Sequence, residues 1–222
     1  MIEVEIKLPA NNLQEIKGIL LQNGFVEEHH VREHDIYFYG ERQIKARGEA
    51  LRIREITDFI SGKVLAQINF KGQKMDQQTM TRQELETELA SAKIGVQLLS
   101  AIGFYPVAPE VIKDRQTLVC GDMTACLDQV TGLGEFLELE ILVAEYEDKS
   151  PIAPLLNGEA NTSDESVRKE EAFLRQQAME RIEATLQMLG YAVTDTVTTS
   201  YLSMLQKKQS AAYCLHLSDE QI

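Results

Sequence analysis

The chain has 222 residues, of which 44% are hydrophobic, enough for one large domain or two small ones with a core. Its formal net charge of −13 argues against a nucleic-acid partner, which would favour a basic surface, but leaves room for a small anionic substrate. No apolar run approaches a membrane span, the N-terminus opens on alternating charge rather than a secretory signal, and three sparse cysteines fit a reducing compartment. We therefore expect a cytoplasmic protein with no membrane partner.

The first eight residues alternate between apolar and charged side chains. The charged positions are Glu3, Glu5 and Lys7, and this period of two predicts a β-strand with one apolar and one charged face. Two carboxylates one strand repeat apart can share a hard divalent cation, and a nearby lysine can hold a phosphate oxygen. The alternative is an edge strand whose charged face is only solvated.

Seven further segments have strand patterns bounded by turn signals. They are residues 31–39, 51–54, 64–71, 81–89, 111–117, 118–127 and 136–143. Gly121 and Asp122 interrupt the segment 118–127 and predict a hairpin turn or a bulge there. Residues 40–48 and 72–78 are polar, turn-rich connections.

Three amphipathic helices are also predicted, two between these strands and one after the last of them. The first begins at the capping-box spacing of Asn12 and Glu15, and the second extends from Ser91 to Gly103. A long third helix follows Ser163 and ends at Gly190, and residues 201–206 predict a terminal helical turn. Residues 144–165 are acidic and rich in Pro, Ser and Asn, which is typical of a loop or lid.

Charged side chains recur on one face of nearly every predicted strand. An antiparallel sheet with one wet face normally carries mixed polar residues there, whereas this face is ionic with both signs. The opposite faces are apolar and need cover, which the amphipathic helices can supply. An α+β fold with a closed barrel, helices outside and a charged, water-filled lumen satisfies both requirements.

The two signs of charge fall into two groups within this predicted lumen. The cations are Arg52, Arg54, Lys71, Lys113 and Arg115. The carboxylates are Glu3, Glu5, Glu138 and Glu140. Together they are what a polyphosphate bound through Mg²⁺ or Mn²⁺ requires. The alternative is a set of internal salt bridges that only stabilise the barrel, at a considerable cost in desolvation.

These residues resemble a known family. Glu3-Val-Glu5-Ile-Lys7 is similar to the ExExK signature of the CYTH superfamily, the triphosphate tunnel metalloenzymes. Further matches follow in the family's order: Leu51-Arg-Ile-Arg54, Phe70-Lys71-Gly72, Lys113-Asp-Arg115, Leu127-Asp128, Glu138-Leu-Glu140 and Ser200-Tyr201-Leu202. The resemblance covers residues 1–206 as a single domain, departing from the family in the 144–165 insert and in a C-terminal tail at 207–222. The segment 103–140 looks most like class IV adenylyl cyclases.

The resemblance implies an eight-stranded antiparallel closed β-barrel that binds ATP or another triphosphate with Mg²⁺ or Mn²⁺, and a homodimer. The metal ligands it implies are Glu3, Glu5 and Glu138, with Glu140 and Asp128 assisting. The phosphate ligands it implies are Lys7, Arg52, Arg54, Lys71, Lys113 and Arg115. The catalytic residues it implies are Lys71, Lys113, Arg115 and Asp128.

The implied activity is conversion of ATP to cyclic AMP and pyrophosphate. Two alternatives remain open: a triphosphatase acting on thiamine triphosphate or inorganic tripolyphosphate, and a non-catalytic polyphosphate- or nucleotide-binding module. The sequence offers no clear general base, because His29, His30 and His34 near a strand start are typical of surface residues.

Overall fold

A computed structural model describes residues 2–74, 81–143 and 165–219 of the chain. The strands are β1 Ile2–Pro9, β2 Val26–Tyr39, β3 Ala50–Asp58, β4 Val64–Lys71, β5 Arg82–Leu89, β6 Tyr105–Cys120, β7 Met123–Val130 and β8 Gly134–Val143. The helices are α1 Leu13–Gln22, α2 Ala92–Ala101, α3 Glu165–Met188 and α4 Tyr201–Asp219, with a 3₁₀ turn at Val193–Asp195.

The eight strands form a closed antiparallel barrel in the order β1-β5-β4-β3-β2-β6-β7-β8, as the sequence predicted. Most neighbouring strands pair along their length, and within the described residues β1 and β5 share two register pairs, Ile2 with Gln83 and Glu3 with Arg82. Further along β1, the Val197 amide donates to the Lys7 carbonyl at 2.7 Å. The segment that leads into α4 thus continues the wall of the barrel where β5 departs.

The apolar face of β1 points outward and is covered by helices. Val4, Ile6 and Leu8 belong to a buried cluster that also contains apolar side chains of α1 and α3. In α3, Ile182 and Leu186 are fully buried at this contact. Because β1 is covered on its outer face, its charged residues are confined to the inside.

Helix α2 covers another part of the barrel through a second cluster, which includes Phe38, Ile53 and Leu99. The approach is close at Gly95, where an added Cβ would lie 2.6 Å from a Leu89 methyl and 2.8 Å from an Ile53 methyl. A larger residue at this position would push the helix away from the sheet.

The start of α4 covers one end of the lumen. Tyr201 and Leu202 are buried against Tyr37, Val111 and Phe136, which lie on three different strands. The sequence predicted only a helical turn at 201–206 and a loose tail beyond it, and this was wrong for the described part, because α4 continues to Asp219. Few apolar side chains follow Tyr201 at helical spacing, so periodicity gave little signal for a long helix.

Other expectations need smaller corrections. Strand β2 begins at Val26 rather than at residue 31, and the segments 111–117 and 118–127 divide differently, into β6 and β7. Gly121 and Asp122 form the hairpin turn between them. The predicted insert at 144–165, apart from Glu165 at the start of α3, and part of the connection at 72–78 lie outside the described residues. Within the described residues, each helix is too short or too polar to cross a membrane.

We predict that Ile182→Ala lowers the free energy of unfolding by about 2–5 kcal/mol, because it removes a fully buried side chain at the contact between α3 and the barrel. Urea unfolding followed by circular dichroism measures this. The matched control is Phe173→Ala on the same helix, where the ring is 57% exposed. It should change the free energy by no more than about 0.5 kcal/mol, and equal losses in the two variants would contradict this packing.

Candidate active site

The barrel encloses a charged cavity of about 800 Å³. The predicted site residues that line it are Glu3, Glu5, Lys7, Arg52, Arg54, Lys71, Lys113, Arg115, Glu138 and Glu140. The eleventh, Asp128, is fully buried behind this surface. Strand pairing places Lys7 opposite Glu138 and Glu5 opposite Glu140, so charged faces of β1 and β8 lie side by side.

One side of the lumen is rich in carboxylates that gather around a single lysine. The Lys71 ammonium lies 2.5 Å from a Glu3 carboxylate oxygen, 3.2 Å from Glu84 and 3.6 Å from Glu5. Asn69 donates to both Glu84 and Glu86. Three carboxylates therefore gather around one ammonium, while Arg82 and Lys74 line other parts of the same cavity.

The pKa values reflect this crowding of carboxylates. Burial, together with the charges of Glu5, Glu84 and Glu140, raises the pKa of Glu3 well above its ordinary value although Lys71 opposes the shift. Burial and nearby carboxylates, Glu5 among them, also raise the pKa of Glu140, against the charge of Arg115. A divalent cation would relieve both effects, since it would supply the missing positive charge at oxygen ligands that Mg²⁺ and Mn²⁺ prefer.

The metal ligands inferred from the family do not form a compact cluster in this structure. Among the described residues, no three carboxylate, histidine or cysteine side chains stand close enough to hold one ion. Glu138 instead accepts a hydrogen bond from Arg115 and lies 3.9 Å from the Lys7 ammonium. Glu3 is occupied by Lys71. The residue types and the excess negative charge fit a hard divalent cation, which would have to replace these lysine and arginine contacts.

The opposite side of the lumen is basic, and Asp128 anchors it. The carboxylate accepts two hydrogen bonds from Arg115, each 2.6 Å long, and lies 3.0 Å from the Lys113 ammonium. The hydroxyl of Tyr201 also donates to it at 3.0 Å. Asp128 therefore holds cations in place and ties α4 to the barrel, rather than facing the cavity itself.

Lys7 has weaker compensation than the other lumen lysines. Its ammonium is buried, with the Tyr201 ring centroid at 4.5 Å and Glu138 at 3.9 Å. Burial lowers the pKa of Lys7, and its carboxylate neighbours restore only part of it. An anionic ligand oxygen would supply the missing partner.

Two buried carboxylates on β2 were missing from the sequence prediction. Glu33 and Asp35 face inward and contact Arg54, and Asp35 also contacts Arg52. Their spacing of two along a strand was a visible signal. It was obscured because Arg32 on the outer face is also charged and pairs with Asp114 outside the barrel.

The three histidines lie on the outside, as predicted. His29 is exposed, and the His30 ring packs against Phe59 at 4.7 Å between centroids. His34 contacts Glu110 at 2.6 Å across the outer surface of β2 and β6. Their positions give them no access to the charged lumen.

Glu3 and Glu84 share Lys71 but should affect stability in opposite directions. The pKa of Glu3 is raised above its ordinary 4.5, so its ionisation destabilises the fold as the pH rises through that range. The pKa of Glu84 is lowered to about 2, since Lys71, Arg52 and hydrogen bonds from Glu3 and Asn69 outweigh its burial. Its stabilising contribution is present above its ordinary pKa of 4.5 and is lost as the pH falls toward 2.

We therefore predict that, in the presence of a chelator at neutral pH, Glu3→Gln raises the free energy of unfolding, because it removes a buried carboxylate whose ionised form is disfavoured. Its amide can donate to Glu84 as the protonated carboxyl does. The matched variant Glu84→Gln should lower it by roughly 1–3 kcal/mol. Thermal unfolding measures both, and a loss of stability in Glu3→Gln would contradict the charge imbalance described here.

Comparisons with known proteins agree with this geometry. The CYTH domain model matches residues 1–201. A protein of Methanocaldococcus jannaschii, provisionally named an adenylate cyclase, is 34% identical over 154 residues, which are 68% of this chain and 83% of that protein.

Solved structures share the whole architecture. A protein of Pyrococcus horikoshii is 30% identical with a TM-score of 0.65, over 93% of this chain and 99% of that one. A Vibrio parahaemolyticus protein, also provisionally named an adenylate cyclase, is 21% identical with a TM-score of 0.67, over 93% and 98% of the two chains, and this likeness concerns the fold. The chain is a member of the CYTH domain family.

Proposed function

We propose that this protein is a class IV-type adenylyl cyclase that converts ATP to cyclic AMP and pyrophosphate with Mg²⁺ or Mn²⁺. The observation that carries the proposal is a cavity inside the barrel with a group of carboxylates around Lys71 on one side and a row of cations on the other. That arrangement suits a triphosphate and its metal ion. The Methanocaldococcus jannaschii relative, provisionally named an adenylate cyclase, supports the choice of cyclisation.

The carboxylates and the cations have separate roles in this proposal. Glu3, Glu5 and Glu138 hold the metal ion, with Glu140 beside them. The ion, when bound, neutralises charge on the phosphoryl group that is transferred. Lys7, Arg52, Lys113 and Arg115 hold the phosphate oxygens by charge-assisted hydrogen bonds.

Cyclisation needs a defined register of the triphosphate in the lumen. The ribose 3′-oxygen forms a bond to the α-phosphorus, the bond from that phosphorus to the bridging oxygen breaks, pyrophosphate leaves, and the hydroxyl proton passes to solvent. In this proposal Lys71 and Arg115 stabilise negative charge that develops on the phosphoryl and the leaving group. Holding the 3′-hydroxyl against the α-phosphorus supplies several kcal/mol, roughly 7 when the alignment is ideal.

Product analysis tests the reaction directly. With ATP and Mg²⁺ or Mn²⁺ we expect cyclic AMP and pyrophosphate in equal amounts, because one cyclisation releases both. Chromatography of the reaction mixture measures them. Formation of ADP and orthophosphate, or rapid release of phosphate from tripolyphosphate or thiamine triphosphate, would assign a triphosphatase instead, and binding without turnover would assign a non-catalytic module.

We predict that Glu5→Gln lowers turnover by on the order of 10²-fold, because it removes a metal-binding charge and keeps the side chain's shape. The measurement is the steady-state rate of cyclic AMP formation. Glu55→Gln is the matched control, since Glu55 is exposed on the outer face of β3. Wild-type activity that survives exhaustive chelation, or equal losses in the two variants, would contradict the metal site.

A further inference from the structure

The two β2 carboxylates lie in a layer behind the lumen cations. Arg52, Arg54 and Lys113 line the cavity, whereas Glu33 and Asp35 are absent from its lining in the described part of the chain. Both carboxylates are nevertheless buried, at 5% and 2% exposure. They therefore have no route to a ligand except through the cations in front of them.

Arg54 has all of its nitrogens occupied by this layer. Its Nε and Nη2 donate to the two oxygens of Asp35 at 2.6 and 2.8 Å, a paired geometry that fixes the guanidinium plane. Its Nη1 lies 2.8 Å from a Glu33 oxygen. These contacts engage at most three of the five N–H donors of Arg54, but they fix the direction of its guanidinium group.

Arg52 differs from Arg54 although the two lie on the same face of β3. Its contacts to the layer are long, 3.4 Å to Asp35 and 3.3 Å to the Tyr37 hydroxyl, and both come from the same nitrogen. Its Nε is buried without a hydrogen-bond partner among the described residues. A buried guanidinium nitrogen without a partner is costly, so the present contacts hold Arg52 less firmly than Arg54. Arg52 also lines the cavity, where an anionic ligand would meet its guanidinium group.

Glu33 connects this pair to the next strand. The oxygen that contacts Arg54 also lies 3.1 Å from the Lys113 ammonium, which Asp128 holds on its other side. Burial raises the pKa of Glu33, but Arg54, Lys113, Arg115 and Arg52 lower it far below its ordinary value, so the carboxylate is ionised at working pH. One negative charge therefore lies between two cations on β3 and β6, and it pairs with them by charge, because this oxygen has no hydrogen-bond partner among the described residues.

We infer that Glu33 and Asp35 are positioning residues of the proposed triphosphate site. Asp35 fixes the guanidinium plane of Arg54, and the two carboxylates hold Arg52 and Lys113 at the wall of the cavity, where the ligand binds. This inference rests on the proposed function. It assigns unequal roles to the two arginines of the Leu51-Arg-Ile-Arg54 motif. Arg52 contacts the triphosphate, and Arg54 supports the site from behind.

The sign of one substitution separates positioning from simple electrostatics. Asp35→Asn removes a negative charge near an anion site, so Coulomb attraction alone would tighten binding of tripolyphosphate. A positioning role predicts the reverse, a dissociation constant about tenfold higher. Arg54 would lose its paired contact, and Arg52 would lose the carboxylate beside which it is held. Calorimetric titration with tripolyphosphate and Mg²⁺ measures the constant, and the KM for ATP should rise more than kcat falls.

Asp114→Asn is the matched control. Asp114 holds Arg32 by the same two-bond geometry, at 2.7 and 2.9 Å, but on the outer surface of the barrel. This variant should bind tripolyphosphate as the wild type does. Adding Arg54→Gln to Asp35→Asn should cause little further loss of affinity, because the two residues act as one unit.

A second pair of variants protects the test against misfolding. Arg52→Gln leaves Asp35 paired with Arg54, so it should melt near the wild-type temperature while weakening tripolyphosphate binding at least tenfold. Arg54→Gln leaves Glu33 and Asp35 short of a partner and should lower the melting temperature markedly.

Unchanged or tighter binding by Asp35→Asn, or undiminished binding by Arg52→Gln, would overturn the positioning role while the proposed function stands. Absence of tripolyphosphate binding by the wild-type protein would overturn both. Weakened binding in Asp35→Asn and Arg52→Gln beside a normal Asp114→Asn supports the inference.

Discussion

The whole structure depends on one constraint, that a charge buried inside a barrel must have a partner of opposite sign. Closure of the sheet leaves inward-facing side chains no route to bulk water except along the lumen. The basic side meets the constraint within the chain, because Asp128 and Asp35 hold arginines in fixed directions by paired hydrogen bonds and Glu33 adds a negative charge behind the cations. Rigid cations are what recognition of an anion requires, since little ordering is then lost on binding.

The acidic side meets the same constraint only in part. Glu3, Glu5 and Glu84 share one lysine, Lys71. Burial and the neighbouring carboxylates together raise the pKa of Glu3, although Lys71 opposes the shift. This imbalance costs stability in the absence of metal and provides affinity for a divalent cation. Lys7 is the opposite case, because its buried ammonium lies 3.9 Å from Glu138 and its carboxylate neighbours do not fully offset the effect of burial on its pKa. A metal ion and a triphosphate would therefore each complete what the other leaves uncompensated.

The sequence predicted the barrel well because its outer faces alternate cleanly with charged positions. On β1 the period of two is unbroken, and pairing with β8 places Glu5 beside Glu140 as the lumen requires. Glu33 and Asp35 escaped notice because β2 carries charge on both faces, so alternation alone could not say which side is inside. Alternation also cannot show which cations are already paired, and the unequal positions of Arg52 and Arg54 emerge only from side-chain geometry. The long helix α4 was missed because, among its described side chains, the apolar ones that pack on the barrel lie in its first turns.

Coupling between metal and triphosphate is the most direct test of this account. The melting temperature should be measured with Mg²⁺ alone, tripolyphosphate alone and both together, at fixed free concentrations. If the lumen is a charge-paired site that the two ligands complete jointly, the rise with both will exceed the sum of the separate rises. Purely additive rises, or no rise with both present, would contradict it.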